Sequence, residues 1–317
     1  MIPTFLGKPR RLQAARTFGA RAALTLCLLL SAVARAEAPP PSYLNQKAIG
    51  AQVAPAPAVG SEPALTDLYL VRAAQRAASP GEWTEAFDDA KAYTAAEVLP
   101  RFNAAAGAEK WTLSETSRPI VAHMLAWVLT DADHYSDEAK KTPGAGRLRP
   151  YAETRLAALA SEIRPCFEAF LPPDGSGSYP SGHAARGYAA ALLLADVMPA
   201  KREALLARGA LYGDSRVICG VHHPVDVERG RAIGRQVYEA TAKEPAYQAD
   251  LACAIEEAKG TSPAAYTPAC RQRYLAYARE VFDRQTASLC ALFATSSESD
   301  RPKSCQPRGN KTMAKDH

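Results

Sequence analysis

The chain has 317 residues, 47% of them hydrophobic and 22% charged, with a formal net charge of +5. That length buries a full core, read here as one large domain. The positive excess does not point to nucleic acid, because it is concentrated at one end. Residues 1–36 hold Lys8, Arg10, Arg11, Arg16, Arg21 and Arg35 and no acidic residue; taking these six from the 38 Lys and Arg leaves 32 against 33 Asp and Glu. A near-neutral remainder offers no field for a polyanion.

The apolar stretch Ala22 to Ala34 follows most of those basic residues and ends in Ala34-Arg35-Ala36. This is the pattern of a secretory signal peptide over 1–36, cleaved after Ala36 or Ala38, and the run falls short of the roughly 20 residues a spanning helix needs. The expected destination is periplasmic or extracellular. Cys27 leaves with the leader, and Cys166, Cys219, Cys253, Cys270, Cys290 and Cys305 form an even set for which an oxidising compartment predicts disulfides. None of them forms a CxxC pair, which argues against a zinc site.

Residues 37–63 are rich in Ala and Pro and predict an extended surface arm. From Leu65 onward apolar residues recur at three and four, in LTDLYLVRAAQRA, EWTEAFDDAKAYTAAEVLPRF, RPIVAHMLAWVLTDADHYSDEAKK, GHAARGYAAALLLADVM, AKREALLARGALYGD and VDVERGRAIGRQVYEATAKE. Alternating β-branched runs are scarce, so residues 64–259 predict an all-α helical bundle. The remaining segment, 260–317, carries three of the six cysteines and predicts a disulfide-clamped helical appendage whose last dozen residues are disordered. Within the helical region His123 reads as a core or interface histidine, and Asp131 and Asp133 as a polar helix end.

Residues 177–187, GSYPSGHAARG, put a histidine at the start of an Ala- and Leu-rich helical run. Ser is a common N-cap, and the bare amides at a helix N-terminus make an anion site. Two further segments hold residues suited to phosphate. KTPGAGRLRP (Lys141 to Pro150) precedes it by 29 residues, counted from Pro150 to Pro180. SRVICGVHHPVD (Ser215 to Asp226) follows 31 residues after His183.

Their order and spacing resemble the signature of the superfamily of acid phosphatases, vanadium haloperoxidases and type 2 phosphatidic acid phosphatases. That signature is Lys, six residues, Arg-Pro; then Pro-Ser-Gly-His; then Ser-Arg, five residues, His, three residues, Asp. The flanking sequence over roughly residues 50–258 is similar to the secreted bacterial class A nonspecific acid phosphatases. The second and third parts are complete. In the first, Lys141 is followed by seven residues before Arg149-Pro150, one too many, so its role stands open between Lys141, Lys140 and Arg147.

The resemblance implies a broad-specificity, metal-independent phosphomonoesterase without cofactor. His222 would attack phosphorus, Asp226 would accept a hydrogen bond from its other nitrogen, and His183 would protonate the leaving oxygen. Lys141, Arg149, Ser181, Gly182 and Arg216 would hold the phosphate. His223 reads as lining the entrance or facing solvent, and Cys166 and Cys219, each flanking a site segment, read as a disulfide pair. Expected partners are small phosphomonoesters and inorganic phosphate, with no nucleic-acid polymer and no membrane, and a homo-oligomer left open. Two rival readings use the same cradle: a vanadate-dependent haloperoxidase, and a catalytically inactive phosphate-binding protein.

Overall fold

A computed structural model describes residues 41–50, 53–107, 112–154, 157–167, 172, 174–292 and 302–305. The signal peptide expected over 1–36 and the disorder expected in the last dozen residues lie outside the described residues. Helix starts follow from short polar caps and from prolines at the first helical position, whose missing amide costs nothing there. Ser61 caps α1 (Glu62–Ala77). Ser79 and Glu82 form a capping box on α2 (Pro80–Lys91), and Thr94 and Glu97 another on α3 (Ala95–Arg101). Then come the long α4 (Pro119–Lys140), α5 (Gly182–Val197), α6 (Arg202–Ile218), α7 (Pro224–Thr241), α8 (Pro245–Ala258) and α9 (Pro268–Leu292). No strand occurs among the described residues, so the fold is all-α, as the periodicity predicts.

The bundle is organised around α5, a helix apolar on all sides and therefore enclosed; its buried residues run from His183 to Val197. It packs against α4, α6 and α7. Two glycines set how closely. A Cβ on Gly209 of α6 would lie 2.4 Å from the Ala191 Cβ, and one on Gly230 of α7 would lie 2.2 Å from the Ser181 carbonyl oxygen. The second contact brings α7 hard against the turn that begins α5.

The arm is more deeply seated than its composition suggests. Tyr43 and Leu44 are buried, their amides donate to Asp131 Oδ2 at 3.1 and 3.3 Å, and the Tyr43 hydroxyl donates to Asp250 at 2.8 Å. Asp131 therefore does not belong to a polar helix end; it sits buried inside α4 as an acceptor for backbone amides that have no other partner in the core. The described part of the C-terminal segment packs on the bundle, α9 lying against α4 and α8. Disulfide Cys253–Cys270 joins α8 to α9, Cys290–Cys305 closes the end of α9, and Cys166–Cys219 is the pair suggested by its flanking positions. His123 is an interface histidine, stacked on Tyr277 of α9 with ring centroids 3.6 Å apart. Among the described residues no helix is long and apolar enough to cross a membrane.

Gly230→Ala separates two opposing effects. Helix propensity alone favours alanine by about 1 kcal/mol, whereas forcing a methyl group against the Ser181 carbonyl costs about 1–3 kcal/mol. Urea unfolding is expected to show a net loss of stability; a gain would mean that α7 does not need its close approach to α5.

Candidate active site

The three segments meet at one end of the bundle, around a cavity of about 340 Å³ whose wall includes Lys140, Arg149, Gly182, His183, Arg216 and His222. Each is delivered by a helix end. Ser181 caps α5 by accepting from the Ala184 amide, leaving the first-turn amides of Gly182 and His183 without intrahelical partners. Arg216 lies in the last turn of α6. Gly220, at φ +68, reverses the chain just after that helix in the left-handed conformation favoured there. A Cβ on it would meet Gln75, Ile163 and the Arg164 carbonyl within 3.0 Å. Val221 and His222 then both donate their amides to the Arg216 carbonyl, and Pro224 starts α7.

Carbonyl groups fix the histidines. His222 Nδ1 lies 2.7 Å from the Ser178 carbonyl oxygen. A carbonyl only accepts, so Nδ1 carries the proton and the neutral ring keeps its lone pair on Nε2. His183 is held the same way by its other nitrogen, with Nε2 3.2 Å from the Ala90 carbonyl, which leaves Nδ1 free for proton transfer.

Asp226 differs from expectation. Its Oδ2 is 3.7 Å from His222 Nδ1, too far for a hydrogen bond, because the Ser178 carbonyl occupies the donor. The carboxylate instead accepts from Ser178 Oγ at 2.6 Å, the His223 amide at 2.8 Å and Arg147 Nη1 at 2.9 Å. Arg147 also pairs with buried Asp67 at 2.8 Å, so it belongs to this buttress and not to the cavity wall. His223 is buried, not at an entrance, with Nε2 3.2 Å from the Leu148 carbonyl.

The cations divide by what they face, since both lysines pair within their own helix, Lys140 with Asp137 at 3.0 Å and Lys141 with Glu138. Arg149 is anchored by the carbonyls of Ser176, Val221 and Gly177, and its Nη1 stands 3.3 Å from His222 Nε2. Arg216 is buried, yet its Nε and Nη1 have no hydrogen-bond partner among the described residues. Lys141 does not reach the cavity: it is the C-cap residue of α4 and pairs with Glu138 at 2.6 Å on the exposed side. Lys140, one helical step earlier, faces the start of α5, where a Cβ on Gly182 would lie 3.4 Å from its Nζ. Consecutive helical residues diverge by about 100°, so only one of the two lysines faces inward. Sequence reasoning gave no role to Ser178, Asp67, Tyr93 or Arg186, which line or brace the cavity: Asp67 and Tyr93 come from segments with no motif of their own, and Ser178 and Arg186 flank the PSGH of the second segment. Arg186, three residues after His183 and paired with Asp133 at 3.3 Å, was the one within reach of the helical period.

Burial first, then the Arg149 and Arg216 charges, push His222 well below its ordinary range; burial, Arg216 and Arg186 do the same to His183. Burial lowers Arg216 to about 10 and His223 to about 4. The unfolded chain protonates its histidines near pH 6.5, so each neutral buried histidine contributes stability that is full above that pH and is lost as pH falls. For His223 the loss runs from about 6.5 down to about 4. Glu257, raised to about 7 by burial, works in the opposite sense, losing stability as pH rises through that value.

Residues 138–242 match the model of the PAP2 superfamily, a range containing all three segments. The non-specific acid phosphatase of Salmonella typhimurium is 34% identical over 178 residues, 55% of this chain and 66% of that protein. That of Providencia stuartii is 29% identical over 215 residues, covering 67% and 82%. The acid phosphatase of Zymomonas mobilis is 27% identical over 216 residues, covering 68% and 77%. The chain thus spans just under two thirds of the Salmonella protein's length.

A dianion in this cavity raises the affinity of the two histidines for protons, so binding takes up a proton. Sulfate, which stays dianionic across this range, is expected to bind more tightly as pH falls from 8 to 5, approaching about tenfold per unit. His183→Asn is expected to flatten that slope. A pH-independent sulfate affinity in the intact protein, measured by calorimetry, would contradict the electrostatic account.

Proposed function

The chain carries a domain of the PAP2 superfamily, and from that premise we propose that it is a metal-independent acid phosphatase acting on small phosphomonoesters through a phosphohistidine. The observation that carries this reading is buried Arg216, with two donors unpartnered among the described residues, in the wall of the same cavity as His222, whose Nδ1 is engaged by the Ser178 carbonyl. The names of the relatives support the same reaction class.

In this reading His222 Nε2 attacks phosphorus, the bond from phosphorus to the ester oxygen breaks, and the departing alkoxide takes the proton from His183 Nδ1. Phosphorylation makes the His222 ring cationic while Nδ1 still donates to Ser178, and the Asp226 carboxylate at 3.7 Å stabilises that charge through space. Water then attacks phosphorus, giving one proton back to His183, and the phosphorus–nitrogen bond breaks to release phosphate. Arg149, Arg216, Lys140 and the Gly182 amide hold the equatorial oxygens, so that cations of the chain stabilise the charge of the transition state. Ser181 acts as the cap that aims that amide. The basic leader pattern of residues 1–36 and the three disulfides support a periplasmic or secreted location.

Hydrolysis of p-nitrophenyl phosphate in excess EDTA is expected to peak on the acid side of neutrality. His222→Ala should lose roughly a thousandfold or more. Lys140→Ala should lower kcat/KM about 10- to 100-fold, as expected for one charge-assisted contact, and Lys141→Ala should stay within about twofold, as for an exposed ion pair. Turnover abolished by EDTA, or retained in His222→Ala, would refute the phosphohistidine route; peroxide-dependent halide oxidation with vanadate would replace it.

A further inference from the structure

Resting on the phosphatase reading, the leaving group of an ester bound here departs along the His183 side of the cavity, because the proton it needs comes from that ring. The side chain beside His183 is Tyr93, whose ring meets the imidazole edge-to-face at 4.6 Å. Tyr93 also lines the cavity, as does Phe167, whose ring lies 5.7 Å from the Arg216 guanidinium. A cavity of about 340 Å³ falls within the roughly 300–1,000 Å³ of pockets that enclose a whole small molecule. The cationic cradle holds the phosphate, and the aromatic residues border the rest.

Tyr93 is held in an unusual way. It sits in the short link between α2 and α3, and the hydrogen bonds that hold it fall on its backbone atoms. Its amide donates to Glu97 at 3.0 Å, and its carbonyl accepts from Arg186. The Ala90 and Ala92 carbonyls just before it accept from His183 and from the Tyr212 hydroxyl. The Arg186 guanidinium lies 4.9 Å from the Tyr93 ring centroid. Even so, 47% of the residue is exposed. A large aromatic with a pinned backbone and a half-open ring contributes little to the core, and it stands where the departing group must pass.

We propose that Tyr93 is the specificity-determining residue of a leaving-group subsite that selects planar unsaturated groups, a nucleobase above all, over short aliphatic ones. In a nucleoside 5′-monophosphate the sugar places its 5′-oxygen at His183 and carries the base past that ring to the next one, which is Tyr93. Stacking of a base on an aromatic side chain tolerates any base, since each has a π-face.

Adenosine 5′-monophosphate and ribose 5-phosphate test this, because they share the departing 5′-alkoxide and differ in the base. The intact enzyme is expected to favour the nucleotide about 5- to 100-fold in kcat/KM, the range of one base–aromatic stack. Tyr93→Leu is expected to bring the ratio near one by raising KM for the nucleotide, and Tyr93→Phe to keep it. Since stacking binds ground and transition states alike, kcat for the nucleotide should hold. Dissociation constants of both esters on a His222→Ala background, with and without Tyr93→Leu, give the same comparison without turnover. If neither ester is hydrolysed, the phosphatase reading fails, and those affinities alone decide the subsite. Equal efficiency and affinity for the two esters in the intact protein would overturn the proposal. So would an equal loss on both in Tyr93→Leu with a displaced pH profile, which would mark the ring as a support for His183 only.

Discussion

The Asp226 carboxylate is the knot on which the geometry of the cavity depends. From the first segment it takes Arg147, from the second Ser178, and from the third the His223 amide, while its own carbonyl accepts from the Ser181 amide at 2.9 Å. Three stretches separated by dozens of residues are thereby tied at one buried point. An unpaired buried carboxylate is costly, and removing any one partner exposes that cost. The arrangement is therefore cooperative: the α5 cap, the His222 turn and the Arg147 loop are held together or not at all. Gly230 adds the steric half of the same constraint, since its bare Cα lets α7 lie against the Ser181 carbonyl.

Against that compensated network, Arg216 is the exception that gives the cavity its character. Arg147 is buried between Asp67 and Asp226, and Arg208 is paired with Asp89. Arg147 and Arg208 each leave one nitrogen unpartnered, whereas Arg216, equally buried, leaves Nε and Nη1 so and pairs with no carboxylate among the described residues; burial lowers its own proton affinity. Its position in the last turn of α6 offsets part of the cost, because the helix dipole is negative there. The rest is stored as attraction for an anion, which lowers the free energy of any tetrahedral anion brought alongside.

What was legible in the sequence was whatever a side chain declares locally. Helical periodicity gave the bundle, and PSGH with SRVICGVHHPVD gave residues that the structure brings to one cavity. The lysine was not legible, because whether Lys140 or Lys141 faces inward depends on the phase at which α4 ends, and α4 runs through Lys140. Nor was the partner of His222, since Ser178 acts there through a backbone carbonyl that every residue possesses. The bond expected from His222 to Asp226 goes to that carbonyl instead, with the Asp226 carboxylate 3.7 Å away. Tyr93 lies 90 residues before His183 in a capped link with no motif, so only the fold brings the two rings together. Asp131 read as part of a polar helix end because its partners, the amides of Tyr43 and Leu44, come from an arm whose composition suggests none.

In the proposed mechanism the two histidines start from the same condition and end in opposite ones. Each has a carbonyl on its far nitrogen, Ser178 on His222 Nδ1 and Ala90 on His183 Nε2, so each, when neutral, has its lone pair on the other nitrogen. Each is also held below its ordinary range by burial and by guanidinium charge. A dianion breaks this symmetry. His222 has Arg149 Nη1 at 3.3 Å from Nε2, a cation that opposes protonation of that nitrogen, as the proposed nucleophile requires. His183 has an aromatic ring at its side; of the two guanidinium groups that lower it, Arg186 is engaged by Asp133 and the Tyr93 carbonyl, and Arg216 acts on both histidines. In the proposed reading the proton recruited by the anion goes to His183, and what separates the two rings is Arg149 at His222 Nε2, since Arg216 acts on both.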